Sequence, residues 1–325
     1  GGSHDIIKPA SKDGENHVRK INFAGFALLF LFAALTLGAS IYRVYHKSLV
    51  LAGGFLLPGV LLLFSLVKIK IPSVKEEGYL GDFLAVFVAA ILTYVISRYL
   101  KINAFLVSPF IGIVGALLYR RRQLPLFCGS FAGMTNPEIL DILPFIAASL
   151  IVAGSYLLAK GVYNGYGGKL GTIAFSGCFL VSLAGANFLT ATQSYMSRQI
   201  LLIIACGVLA ATISYIINNM LKLGPVIASS VVGLAGAILL FAKNPEIAMF
   251  TPVIYGASFV GMTSKKVITN ITLIALAGAA FGFVYCFNPL CGVGGKLGAT
   301  AFTSVLCAYG LKNLIMFFRP GMAGK

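Results

Sequence analysis

Long apolar runs alternate with short polar ones along almost the whole chain. The long runs fall at about 23–42, 48–67, 81–100, 102–119, 141–160, 170–187, 201–217, 224–242, 268–287 and 299–318. About 20 apolar residues cross a bilayer as a helix, so each run predicts a transmembrane helix. Two shorter apolar segments, 124–135 and 249–263, contain Pro and Gly. Segments of that length read as re-entrant or half helices, and irregular backbone at membrane depth is tolerated inside protein or beside a water-filled cavity. The pattern predicts an all-α polytopic membrane protein with about ten transmembrane helices and two short segments.

The chain also repeats itself. Residues 100–118, LKINAFLVSPFIGIVGALL, align with 221–239, LKLGPVIASSVVGLAGAIL. Ala90 and Tyr94 match Ala211 and Tyr215 at the same offset. Ser130-Phe131-Ala132-Gly133-Met134-Thr135 is answered by Ser258-Phe259-Val260-Gly261-Met262-Thr263, and GGKLGTIAF at 167–175 by GGKLGATAF at 294–302. Matches in the same order predict an internal duplication with pseudo-twofold symmetry. The expected organisation is a cytoplasmic tail over 1–22, two extra transmembrane helices over 23–80, repeat 1 over 81–197 and repeat 2 over 198–325. If the short segments do not cross, the halves are parallel; if they cross, the halves are inverted. Counting Lys and Arg in loops does not separate the two. The inverted arrangement is favoured, because inverted repeats recur in transporters and place a pathway at their interface.

Composition agrees with the membrane reading. Hydrophobic residues make up 58% and charged residues 10% of the 325 positions, where a soluble domain carries about a quarter charged. A cytosolic enzyme, a nucleic-acid reader and a disordered chain are thereby excluded. The net charge of +16 belongs to loop lysines and arginines that set orientation. Lys8, Lys12, Arg19 and Lys20 precede the first run, which places the N-terminus in the cytoplasm, with a bacterial inner (plasma) membrane as the expected location. The nine acids lie in the tail, in loops or at span ends, and His4, His17 and His46 lie outside apolar runs. Proton pumps need a titratable group at depth, so transport coupled to a pH gradient is disfavoured.

No catalytic constellation is visible: no Asp pair, Ser–His pair or HExxH lies in the spans, and no nucleotide or metal motif is present. The expectation is no enzyme and no cofactor. The six cysteines form no CxxC; Cys286 and Cys291 flank a turn and are left open as a disulfide.

Two motifs carry the candidate chemistry. In GGKLG, Gly167, Gly168, Gly294 and Gly295 permit a tight turn and close approach. A helix is expected to begin there, and its positive N-terminal end joins Lys169 or Lys296 in attracting an anion. The plainer alternative is that each lysine snorkels to the headgroups. In SFxGMT, the hydroxyls of Ser130, Thr135, Ser258 and Thr263 can replace water around a solute, and Phe131 and Phe259 can form an apolar constriction. The alternative is close helix packing by small residues, which is the reading preferred for Gly112, Gly115, Gly233 and Gly236. With no Trp, the tyrosines near span ends, Tyr42, Tyr45, Tyr79, Tyr94 and Tyr99, are the candidates for an aromatic belt.

Two five-segment halves with interrupted segments resemble the layout of urea-transporter-like channels. The resemblance is one of architecture and carries no substrate. The expected function is a membrane channel or channel-like transporter for a small anionic or neutral polar solute, its pathway between the repeats. The rival is a non-transporting membrane scaffold or a subunit of a larger complex. The expected partners are the lipid bilayer and a small-molecule or ion solute, without nucleic acid; a homo-oligomer is left open.

Overall fold

A computed structural model describes residues 12–45, 48, 52–69, 78–185, 189–190, 195–242 and 244–318. Lys8, His4, His46, Asp5, Glu76, Glu77 and residues 319–325 lie outside the described residues, and Lys12, Asp13, Glu15 and His17 are described in their backbone alone.

Most of the described residues are helical. The helices are α1 (Lys12–Tyr45), α2 (Leu56–Ser65), α3 (Tyr79–Tyr99), α4 (Ala104–Leu118), α5 (Gln123–Ala132), α6 (Ile142–Ala159), α7 (Lys169–Gly185), α8 (Ser197–Asn219), α9 (Pro225–Ala237), α10 (Phe250–Gly261), α11 (Ile271–Phe287) and α12 (Lys296–Phe318). Short 3₁₀ turns and a one-turn helix, Pro245–Ala248, join some of them. One antiparallel ladder pairs β1 (Leu189–Thr190) with β2 (Leu290–Cys291).

Local sequence sets the helix starts. Asn103, Asp141 and Asn270 cap α4, α6 and α11, each side chain accepting from a first-turn amide, which satisfies a donor the helix cannot. Pro225 opens α9, where its missing N–H costs nothing. Lys101 and Lys222 both turn the chain with φ of 57°, each as the second residue of a Leu-Lys pair.

Among the described residues, six helices are long and apolar enough to cross a membrane: α1 from Val18, α3, α6, α8, α9 with its continuation to Ala242, and α12. Leu56–Ser65, Ala104–Leu118, Lys169–Ala184 and Ile271–Phe287 are shorter and equally apolar. Large apolar side chains such as Leu80, Leu143, Leu201 and Phe241 stand exposed around the outside. In water that surface would aggregate; against lipid it is the solvent-matched face. The molecule is a helical membrane protein.

Ion pairs and close glycines fix the directions of the helices. Lys160 Nζ meets Asp82 Oδ2 at 3.0 Å, and Arg98 meets Asp141. The end of α6 is thus clasped to the start of α3, and the end of α3 to the start of α6, so the two run antiparallel. α8 and α11 are likewise antiparallel: Gly207 approaches the backbone of Gly278, and Gly282 that of Ile203 and Ile204. Cys307 bonds to Pro58 and Asn313 to Phe64, so α2 lies parallel to α12.

Tyr94 is a correction to the belt assignment. It is buried, donates to Leu140 O at 2.7 Å and stacks on Phe145 at 4.1 Å between centroids. Its hydroxyl is needed inside, to satisfy a carbonyl of the irregular stretch before α6. Tyr215 does the same for Ile268 O at 2.7 Å. Cys286 and Cys291 are free thiols.

Candidate functional site

The two sequence motifs meet across the molecule rather than within their own halves. Thr135, just past α5, accepts from Gly294 N at 3.0 Å; Thr263, just past α10, accepts from Gly167 N at 3.2 Å. Beside them, Asn136 N donates to Gly292 O and Ser264 N to Gly165 O, both at 2.8 Å. Each SFxGMT segment therefore holds the GGKLG turn that lies farther from it along the chain.

The glycines are there for space and for backbone. Gly168 and Gly295 both have φ of +80°, a conformation costly to any residue with a Cβ. A Cβ on Gly168 would strike the backbone of Phe302 and Gly298; one on Gly295 would strike Gly171 and Phe175. α7 and α12 cross antiparallel at Gly171 and Gly298, where each leaves no room for a Cβ on the other. α4 and α9 also pass antiparallel, Gly112 against Ser230 and Gly233 against Pro109. Gly115 and Gly236 pack on Leu126 and Ile254, so all four of these α4 and α9 glycines are packing positions.

Because α7 and α12 run oppositely, Lys169 and Lys296 stand on opposite sides of the crossing. Both are buried, each 7% exposed. Lys169 Nζ donates to Lys160 O at 2.8 Å and to Asn164 Oδ1 at 2.9 Å. Lys296 Nζ donates to Asn288 O at 3.3 Å and to Cys291 Sγ at 3.2 Å, and lies 5.9 Å from the centre of the Tyr285 ring.

Each lysine borders a cavity. One, of about 180 Å³, is lined by Phe105, Met134, Tyr285, Cys291 and the run Gly292–Gly298 with Lys296. The other, of about 280 Å³, is lined by Tyr156, Lys160, Asn164, Tyr166, Gly168 and Lys169. Burial pushes the Tyr166 phenol up, so that it stays neutral at ordinary pH. Phe131 and Phe259 line both cavities. Their rings lie 4.7 Å apart, within a cluster completed by Phe127 and Tyr255. Phe127, Phe131 and Phe259 hold this position by packing, and Tyr255 is also fixed by a 2.9 Å bond to Ser108.

The structure thus brings Phe131, Phe259, Gly168, Gly295, Lys169 and Lys296 to the cavity walls. It gives the four hydroxyls another place. Ser130 bonds to Phe127 O and Ser108, and Ser258 to Tyr255 O and Ser229. Thr135 donates to Ala132 O and Thr263 to Val260 O while accepting from the glycine amides. They are clamps, not lining. Sequence reasoning missed Asn164 and Cys291, the lysine partners, although each lies five residues before its lysine. It also missed Phe127 and Tyr255, each four residues before a motif phenylalanine.

Comparison with family models, with curated proteins and with solved structures finds no match to the chain.

Proposed function

We propose that the protein is a channel or channel-like transporter for a small anionic or neutral polar solute. The observation that carries the reading is the pair of cavities with a shared wall. Each holds a buried lysine, and the Phe131–Phe259 pair forms the wall between them. Two chambers, each with a lysine in its wall, on either side of an apolar constriction are the parts a gated pathway needs.

The pathway lies between two inverted repeats of five crossings each, α3–α7 and α8–α12, with α1 and α2 crossing ahead of them. Inversion is supported by the antiparallel passage of corresponding helices, α4 with α9 and α7 with α12. It is supported again by the course of 123–141. Arg122, before α5, lies against Gly81 at the start of α3. Asp141, after it, lies against Arg98 at the end of α3. The short helix and its irregular continuation therefore run the length of α3, and that makes the number of crossings per half odd.

Flux from proteoliposomes tests the function, using a panel of small anions and neutral solutes. At least one solute should cross faster than in protein-free vesicles, and Phe131→Ala with Phe259→Ala should raise its rate. If no solute in the panel is accelerated, the chain is the non-transporting scaffold or subunit.

A further inference from the structure

We infer that the cavity carrying Lys296 is a binding site for a small, singly charged anion. The inference takes its pathway from the reading above, but the site stands on its own geometry.

Lys296 is more than nine-tenths buried and lines the cavity. Its hydrogen-bond partners are the Asn288 carbonyl and the Cys291 sulfur, and the face of the Tyr285 ring lies beside it. Among the described residues no carboxylate lies within ion-pair distance of it. A buried charge is normally paired, because its desolvation is otherwise uncompensated. Here the missing partner has a place to sit. Leu297 and Gly298 of the first turn of α12 line the same cavity, and first-turn amides have no acceptor four residues back. The positive end of that helix adds to the ammonium.

The second cavity differs where it matters. Lys169 faces an amide oxygen, and its neighbour in the lining, Lys160, is paired with Asp82. A carboxylate is already built in on that side. The Lys296 side has Cys291 where the Lys169 side has Asn164, five residues before each lysine.

The other walls decide the charge and size of the ligand. Phe105, Phe131, Met134, Pro252, Phe259 and Leu297 are apolar. One cation in such a lining compensates one negative charge and leaves a second one buried without a partner. A volume of about 180 Å³ admits an ion of chloride, formate or nitrate size, and the apolar walls give the hydroxyls of a sugar acid such as gluconate no hydrogen-bond partners.

Cys291 reports occupancy, since its thiol lies 3.2 Å from the ammonium and in the same lining. The full-length protein, purified in detergent, is treated with a small neutral methanethiosulfonate, and labelling at Cys291 is followed by peptide mass spectrometry. Nitrate and gluconate at ~100 mM are compared at equal ionic strength. Occupancy slows labelling by one plus the ratio of ligand to Kd, so a Kd near 50 mM gives about threefold. Nitrate should slow Cys291 about threefold or more, and sulfate much less. Lys296→Met should abolish the protection, while Lys169→Met and Lys296→Arg keep it. Equal rates in nitrate and gluconate in the wild type overturn the site without need of any variant. Protection by sulfate equal to that by nitrate overturns the single charge, and protection that survives in a folded Lys296→Met overturns the role of the lysine. Flux of nitrate and glycerol is measured on the same preparations. Protection without flux of either solute keeps the site and removes the transport reading; glycerol flux without protection does the reverse.

Discussion

At the scale of single residues, backbone geometry at two glycines governs whether the centre can form. Gly295 combines φ of +80° with a cradle of backbone atoms from Gly171 and Phe175. A Cβ there meets both a conformational cost of about 1–2 kcal/mol and atoms that cannot rotate away. Gly295→Ala is therefore expected to lower thermal stability in detergent well beyond that cost, or to abolish accumulation of folded protein. Gly38→Ala is the control: it sits in α1 with nothing within 4 Å of the added carbon, and should gain slightly from helix propensity. Thermal unfolding of the two variants side by side checks the contrast, and equal midpoints would contradict it. These glycines were legible as a recurring GGKLG turn, and so were the lysines that follow. What the sequence did not show was the destination of the motif hydroxyls. A serine or threonine in an apolar segment bonds as readily to its own helix carbonyls as to a solute, and Ser130, Thr135, Ser258 and Thr263 do the former.

At the scale of elements, α3 and α6 form a pair clasped at both ends. The outer clasp is Arg98 with Asp141, and it confers an acid sensitivity of known sign. The Asp141 carboxyl is held below its ordinary value, first by the amide of Ile142 and next by Arg98. A carboxyl depressed in the folded state contributes stability above its unfolded value, about 3.9, and loses it as pH falls through the folded value. The wild type is thus expected to lose the clasp below about pH 4, with no change between pH 6 and 8. Asp141→Asn should flatten that acid limb while lowering stability at pH 6. Midpoints measured from pH 6 to pH 3 decide it, and an acid limb of the same size in Asp141→Asn would assign the sensitivity elsewhere. The helices themselves were the most legible part of the molecule: helix lies within each long apolar run, but among the described residues only six helices are long and apolar enough to cross a membrane, and the 48–67 run holds helix over Leu56–Ser65. The clasps were not legible, since antiparallel pairing of α3 with α6 brings together residues far apart in the chain, and no local pattern records it.

At the scale of the whole molecule, the inverted reading assigns faces to every loop. The loop before Lys169 belongs with Arg120–Arg122 in the cytoplasm, and Arg198, at the start of α8, outside. Single cysteines placed at Asn164 and Arg198 in a cysteine-free background, labelled in intact cells with a membrane-impermeant maleimide, should react at 198 and stay protected at 164. The opposite pattern is what parallel halves require. The recurring motifs were legible in the sequence, yet charge counting could not choose an orientation. The support for inversion is geometric: Arg122 and Asp141 lie at opposite ends of α3, so the segment between them runs its length.

The exchange of contacts between halves bears on how the chain is made. While the ribosome is still delivering α8 onwards, the amide of Gly167 has no Thr263 to receive it, and Phe131 has no Phe259 against it. The first half must wait in the bilayer with a polar turn and an aromatic face uncovered. The centre can therefore lock only after α10 and α12 have arrived, because Thr263, Phe259 and the 294–295 turn complete its contacts.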